Sequence, residues 1–223
     1  ISITGSNGKT TTKDFLASIL SEQYNVVKTE ANNNNHIGVP LTIFNAKADT
    51  EILVLEEGTN HFGEIEYIAS ISLPDFALIT NIGDSHLEFL KNREGVYKEK
   101  SALYSYTLLN GGKIFVNSDD PILKTNMKSF KKKITYGFKG KPNVKGKILG
   151  ITTDGKSKIE ITSNNVKFDL VLPVLGITNA PNFLAAVAIA LTLDISIKEI
   201  RAAAKKLAPA KRRLEAKQLN DIL

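Results

Sequence analysis

The 223-residue sequence reads as an α/β protein: a mostly parallel P-loop-type sheet with helices on both faces, plus a small antiparallel β meander. Three observations carry this reading. Apolar runs such as Ile-Leu-Val-Leu (52–55) and Phe-Ala-Leu-Ile (76–79) alternate with helical stretches through the first two-thirds of the chain. That is the pattern of parallel strands covered by helices. Residues 1–4 form a short β-branched run that leads through Gly5-Ser6-Asn7-Gly8-Lys9-Thr10 into a helical stretch. Finally, residues 143–173 alternate apolar and polar side chains, with Asp154-Gly155 and Asn164-Asn165 as turn signals, which marks antiparallel strands.

Each element follows from its own pattern. Phe15, Leu16, Ile19 and Leu20 recur at helical spacing and predict a helix over 13–21. Strands are predicted at 24–28, 51–56, 75–80, 113–117 and 133–138, with helices at 64–70, 94–108 and 121–130 between them. After the meander, helices return at 182–193 and 197–207, where Pro209 stops the second. The crossovers of such a sheet are right-handed. No repeat is visible, and the only low-complexity segment is Asn32 to Asn35.

Composition narrows the class. At 42% hydrophobic residues the chain can bury a full core. No apolar run reaches the roughly 18 residues of a membrane span, and no signal-peptide pattern opens the sequence. The absence of cysteine excludes disulfides and thiolate metal sites. The expectation is a cytoplasmic protein with no membrane partner. The first residue, Ile1, lies inside the first strand and Leu223 ends without a capping signal, so the chain reads as a piece of a longer one. A net charge of +6 and a pI near 9.3 raise the question of nucleic acid. Only four of the 29 basic residues are arginine, and aromatics are not interleaved with them. Lys131-Lys132-Lys133 therefore reads as a solvated helix end, and no nucleic-acid partner is expected.

The candidate chemistry begins at the first loop. Gly5, Ser6, Asn7 and Gly8 are small enough for backbone N–H groups to approach an anion, and the following helix N-terminus is positive. Lys9 adds a point charge, and Thr10 and Thr11 offer hydroxyls, the first placed for Mg²⁺. The usual motif has its first glycine five residues before the second, where this chain has Ile3, so the loop is a shorter G-x-x-G-K-T variant. In open parallel sheets ligands bind beyond the carboxyl ends of the strands. Glu56 and Glu57 end one predicted strand and Asn81 another, with His86 five residues on. Side chains alternate along a strand, so only one of the two glutamates faces the phosphates. Oxygen and imidazole ligands without cysteine suit Mg²⁺.

Five segments, TGSNGKTTTK, NNNNHIGVPLT, EEGTNHFGEIEYIA, PDFALITNIGDSHLEFL and EGVYKEKSALY, resemble the Mur ligases of peptidoglycan synthesis. Within that family they resemble most the branch that adds D-Ala-D-Ala to UDP-N-acetylmuramoyl-tripeptide. The resemblance spans residues 1–223 but corresponds to the central ATP-binding domain alone. It implies that an N-terminal UDP-sugar-binding domain and a C-terminal Rossmann-like, amine-binding domain are absent from this chain.

The resemblance also implies roles. Gly8, Lys9 and Thr10 would hold the β- and γ-phosphates of ATP and one of two Mg²⁺ ions. Glu56 matches the metal-binding glutamate and His86 the histidine of the second Mg²⁺. Lys100 matches a lysine that the family carboxylates with CO₂; Lys98 is the weaker candidate. Asn32, Asn34 and Asn35 fall in the segment resembling the tripeptide-substrate loop, against the plain alternative of a polar loop. Asn179 and Asn182 match the asparagines that read adenine, with Thr178 where histidine is common. Arg213 matches the arginine near the ATP ribose and phosphates, with Arg212 in place of the expected glycine.

The implied reaction is ATP-dependent amide ligation through an acyl phosphate, by a monomer. The isolated 223 residues are expected to bind ATP weakly and ligate nothing. Two other readings stay open: a folylpolyglutamate- or cyanophycin-type ligase of the same superfamily, and a P-loop module that ligates nothing.

Overall fold

The computed structural model describes residues 1–164 and 166–207. In chain order the first elements are β1 (Ser2–Thr4), α1 (Lys9–Leu20), β2 (Val26–Lys28), α2 (Gly38–Phe44), β3 (Ile52–Glu56) and α3 (Glu64–Ser72). Next come β4 (Phe76–Ile79), α4 (Leu87–Leu90), α5 (Arg93–Leu109), β5 (Lys113–Asn117), α6 (Pro121–Asn126) and β6 (Lys133–Gly137). The chain continues through β7 (Val144–Ile151), β8 (Lys156–Ser163), β9 (Val166–Leu175), α7 (Ala180–Thr192) and α8 (Ile197–Lys206).

All described strands join one sheet in the order β2-β3-β1-β4-β5-β6-β7-β8-β9. β1 to β7 are parallel, and β8 and β9 add antiparallel pairs at one edge. The meander is thus an extension of the main sheet, tied on where Tyr136 of β6 pairs in parallel with Val144 of β7. Ile3 of β1 sits between Glu56 of β3 and Leu78 of β4. The strand order reverses at β1, so the loops leaving β1, β3 and β4 open at one crevice.

The period-two alternation of the strands feeds two cores. Ile3, Leu78 and Phe115 pack with Leu16 of α1, Phe183 of α7 and Ile200 of α8. Ala77, Ile79, Ile114 and Val116 point to the opposite face, against Ile65 of α3 and Leu103 of α5. Helices therefore cover both faces, as the sequence predicts. Burying a leucine- or phenylalanine-sized side chain contributes about 1.5–3 kcal/mol, so each face is held by many such contributions.

Several elements depart from the sequence reading: α4 has no predicted counterpart, and α6 ends at Asn126 where a helix to 130 is predicted. α1 begins at Lys9, not at 13, because Gly8 adopts the left-handed conformation (φ +79°) that turns the loop directly into the helix. The threonine-rich first turn has no apolar periodicity to announce it. α2 occupies 38–44, a stretch to which the sequence reading assigns no element; Pro40 lies in its first turn, where a missing N–H is tolerated. Among the described residues no helix is long and apolar enough to cross a membrane.

Candidate functional site

The phosphate-loop candidate is stitched to the segment leaving β4. Ser6 N–H donates to the Asn81 carbonyl at 3.0 Å, and the Ser6 hydroxyl accepts from Gly83 N–H and meets the Ser85 hydroxyl, both at 2.9 Å. Asn7 N–H donates to Asn81 Oδ1 at 3.0 Å. The N–H groups of Ser6 and Asn7 are thereby committed within the protein. The donors left to meet an anion would be those of the first turn of α1, which starts at Lys9, continues with Thr10 and Thr11 and carries no side-chain cap. Gly5 and Gly8 are required at their positions. A side chain on Gly5 would strike Thr80, and one on Gly8 would strike the amide of Asn182. Lys9 Nζ donates to the Gly5 carbonyl at 2.8 Å, folding back over its own loop.

The two glutamates ending β3 diverge as alternation demands. Glu56 Oε1 accepts from Asn34 Nδ2 at 2.9 Å, and Glu56 N–H donates to Thr29 Oγ1 at 2.9 Å. Its Oε2 is buried without a hydrogen bond and lies 4.0 Å from Lys13 Nζ. Glu57 turns to the other side, where Ser72 Oγ donates to it at 2.8 Å and burial pushes its carboxyl up to about 7. Lys13, on α1 one turn beyond Lys9, is 2% exposed and donates to the Thr29 carbonyl at 2.6 Å. The sequence patterns above do not single it out; its helical spacing from Leu16 and Leu20, buried on the same helix, is the available signal.

A cavity of about 300 Å³ gathers five of the site candidates. Lys9, Asn32, Asn34, Asn35 and His86 all line it, together with Glu64. Asn35 also has a local task, since its Oδ1 accepts from Ile37 N–H at 3.1 Å and Gly38 N–H at 2.9 Å and so caps α2. His86 sits in the left-handed region (φ +52°) just before α4. Partial desolvation, then the charges of Lys100 and Lys9, holds its imidazole below the usual histidine range.

Lys100 is 1% exposed on α5. Burial first, and the charge of Lys9 second, pushes its amine down to about 7, with Glu99 opposing. Lys98 instead faces solvent, its ammonium 5.9 Å from the Phe62 ring centroid. Glu99 is buried and clamps the loop after β3, accepting from Gly63 N–H at 2.7 Å, Ile65 N–H at 2.8 Å and Thr59 Oγ1 at 3.0 Å.

Asn182 lies against Gly8 from the start of α7. Asn179 precedes it at the N-cap of α7. Arg213 falls outside the described residues. Among the described residues no three His, Asp or Glu side chains converge as a preformed metal cage. The donor set nevertheless fits Mg²⁺, which is commonly held by one or two carboxylates with the remaining oxygens from substrate phosphates and water. The orphaned Oε2 of Glu56 is such a carboxylate oxygen.

Fold and loop together define a phosphate-loop α/β domain with its crevice at the switch point of the sheet. The Mur ligase middle domain model matches residues 3–190, and the chain belongs to that family. It is 39% identical over 188 residues to the UDP-N-acetylmuramoyl-tripeptide--D-alanyl-D-alanine ligase of Bacillus subtilis (strain 168), covering 84% of this chain and 40% of that one. It is 37% identical over 221 residues to the same-named ligase of Buchnera aphidicola subsp. Baizongia pistaciae, covering 99% and 48%. The chain thus spans less than half the length of these curated relatives. A crystal structure of MurF from Acinetobacter baumannii superposes with a TM-score of 0.88 at 32% identity over 98% of this chain and 48% of that one. MurF ligase from Thermotoga maritima, solved in complex with ADP, gives 0.84 at 29% identity over 97% and 50%.

Proposed function

We propose that this chain is the ATP-binding part of a ligase that joins D-Ala-D-Ala to UDP-N-acetylmuramoyl-tripeptide. The observation that carries the reading is the single cavity lined by Lys9, Asn34 and His86 at the mouth of the phosphate loop. The names of the relatives support the choice of substrates. In this reading the parts that hold the UDP-sugar and the incoming amine lie outside these 223 residues, and the enzyme is a cytoplasmic monomer.

The chemistry must bring an anionic carboxylate to a triphosphate. ATP phosphates rest on the first turn of α1, Lys9 leaves the Gly5 carbonyl to meet the γ-phosphate, and Asn182 borders the nucleotide. The asparagines of the cavity orient the tripeptide. Its terminal carboxylate attacks the γ-phosphorus, giving an acyl phosphate and ADP; the amine of D-Ala-D-Ala then attacks the acyl carbon, and phosphate leaves. No protein nucleophile is needed. Two Mg²⁺ ions, one held by Thr10 and Glu56 and one by His86 and a carbamylated Lys100, would supply the positive charge that screens this approach. The neutral amine that burial favours at Lys100 is the form that adds CO₂ with loss of a proton.

The test incubates the intact protein with ATP, UDP-N-acetylmuramoyl-tripeptide and D-Ala-D-Ala. The expected result is stoichiometric ADP, phosphate and UDP-linked pentapeptide, with none formed when the dipeptide is omitted. Ligation of single amino acids in place of the dipeptide, or no amide product at all, would overturn the reading.

A further inference from the structure

The loop that carries Gly8 and Lys9 is short, and Asn7 at its tip is exposed. An exposed loop tip ordinarily exchanges its backbone hydrogen bonds with water. Here a side chain from another strand end takes both. Asn7 N–H donates to Asn81 Oδ1 and Asn81 Nδ2 donates to the Asn7 carbonyl, each at 3.0 Å. The donor at Asn7 N fixes which end of the amide is which. The Thr80 hydroxyl adds a further bond to the Asn7 carbonyl at 2.6 Å.

Asn81 is itself held on both sides. The Thr80 carbonyl accepts from Asn117 Nδ2 at 2.8 Å, and Ile82 N–H donates to Asp120 Oδ2 at 2.8 Å. Asp120 in turn caps α6 through Ile122 and Leu123 N–H. The pillar beneath Asn81 therefore runs through Asn117 of β5 and Asp120 at the start of α6.

We infer that Asn81 is a positioning residue for the phosphate loop, presetting it for a nucleotide polyphosphate. It replaces, with one side-chain amide, the internal bonds that a longer loop makes for itself. Asn7 is followed at once by left-handed Gly8 and the first turn of α1. Fixing the Asn7 peptide therefore fixes the direction of the donors that follow. Preorganised donors bind without first losing loop entropy. The inference rests on the proposed reading of this loop as a phosphate site.

The test titrates the 223-residue chain, wild type and Asn81→Ala, with ADP plus Mg²⁺ and with AMP, followed by amide NMR. Two hydrogen bonds at about 0.5–1.5 kcal/mol each translate into a roughly tenfold weaker ADP complex, since 1.4 kcal/mol is tenfold. The AMP affinity is expected to stay within about twofold of wild type, because the loss falls on the phosphates beyond the first. Hydrogen exchange at the Asn7 amide should accelerate in the same variant. Asn81→Asp keeps the acceptor but not the donor and brings a negative charge toward the phosphates. It is close in size, and its ADP affinity should fall further than that of Asn81→Ala. A general loss of structure would lower ADP and AMP binding together. If wild type does not prefer ADP to AMP, the phosphate-site reading fails and this inference with it. If wild type prefers ADP and both variants keep the same preference, the inference alone is overturned.

Discussion

Asn34 and Glu56 form one unit: the Asn34 amide donates to Glu56 Oε1 at 2.9 Å, while Gly58 N–H donates to the Asn34 carbonyl at 2.7 Å. An asparagine from the Asn32 to Asn35 run is thereby locked to the carboxylate ending β3. A residue that lines the cavity and a residue suited to a cation cannot move independently.

Asn34→Ala should therefore affect more than one function. It leaves a second buried oxygen of Glu56 without a donor, a loss of about 1–3 kcal/mol in stability. Urea denaturation would measure that cost. Nucleotide binding should in parallel need more Mg²⁺, since the carboxylate loses its orientation. An Asn34→Ala protein with unchanged stability would show that water replaces the amide without loss.

Glu56→Gln addresses the cation directly. Oε2 is buried with no hydrogen bond and lies 4.0 Å from Lys13 Nζ. The amide removes the negative charge that a divalent ion requires and leaves Lys13 with less compensation. Calorimetry of ADP binding across a Mg²⁺ series should show the midpoint moving up at least tenfold, the effect of about 1.4 kcal/mol. An unchanged midpoint would remove Glu56 from the ligand set. Glu57 could not inherit the role, because it points to the opposite side of the strand toward Ser72.

How much of this was legible in the sequence depended on which signal each residue left. β5 has the predicted bounds, 113–117, because a short apolar run with polar flanks has few alternatives. The phosphate loop was legible from composition, but the commitment of the Ser6 and Asn7 N–H groups was not, since it depends on a segment more than seventy residues away. The burial of Lys100 left a signal that periodicity alone could have caught. The buried positions of α5 are Val96, Glu99, Lys100, Leu103, Tyr104 and Thr107, a regular helical stripe in which two members are charged. Reading only apolar residues along that stripe hides them. α2 was hidden by Gly38 and Pro40, which signal a loop until the helix start is known.

Lys9→Ala should abolish ligation by the intact protein. Its ammonium is held 2.8 Å from the Gly5 carbonyl, over the loop that it follows. The fold should be retained, because Lys9 is only partly buried on the first turn of α1. Circular dichroism would check the fold and phosphate release the activity. Near-wild-type turnover would remove Lys9 from the mechanism.

Lys100 yields a prediction that separates a buried amine from an ordinary helix lysine. Burial, and then the charge of Lys9, lowers its pKa from 10.5 to about 7. Between these values the unfolded chain holds a proton that the folded chain has released. Unfolding then takes up a proton, and stability rises with pH across that window. Below about pH 7 both states are protonated, and the buried charge weakens the fold by on the order of a few kcal/mol. In CO₂-free buffer, urea denaturation of wild type should accordingly show higher stability at about pH 9.5, well up the window, than at about pH 6.5, below it. Lys100→Met should flatten that rise and be the more stable protein at the lower pH. The same neutral amine predicts a carbamate: ¹³C-bicarbonate should give wild type a carbamate resonance that Lys100→Met lacks. Acetate should restore part of the ligation lost in Lys100→Ala by placing a free carboxylate in the vacated space. Equal pH slopes for wild type and Lys100→Met would show that the ammonium is solvated in solution. With no ¹³C signal as well, the carbamate would be excluded, leaving His86 to hold the second ion without an anionic partner from α5.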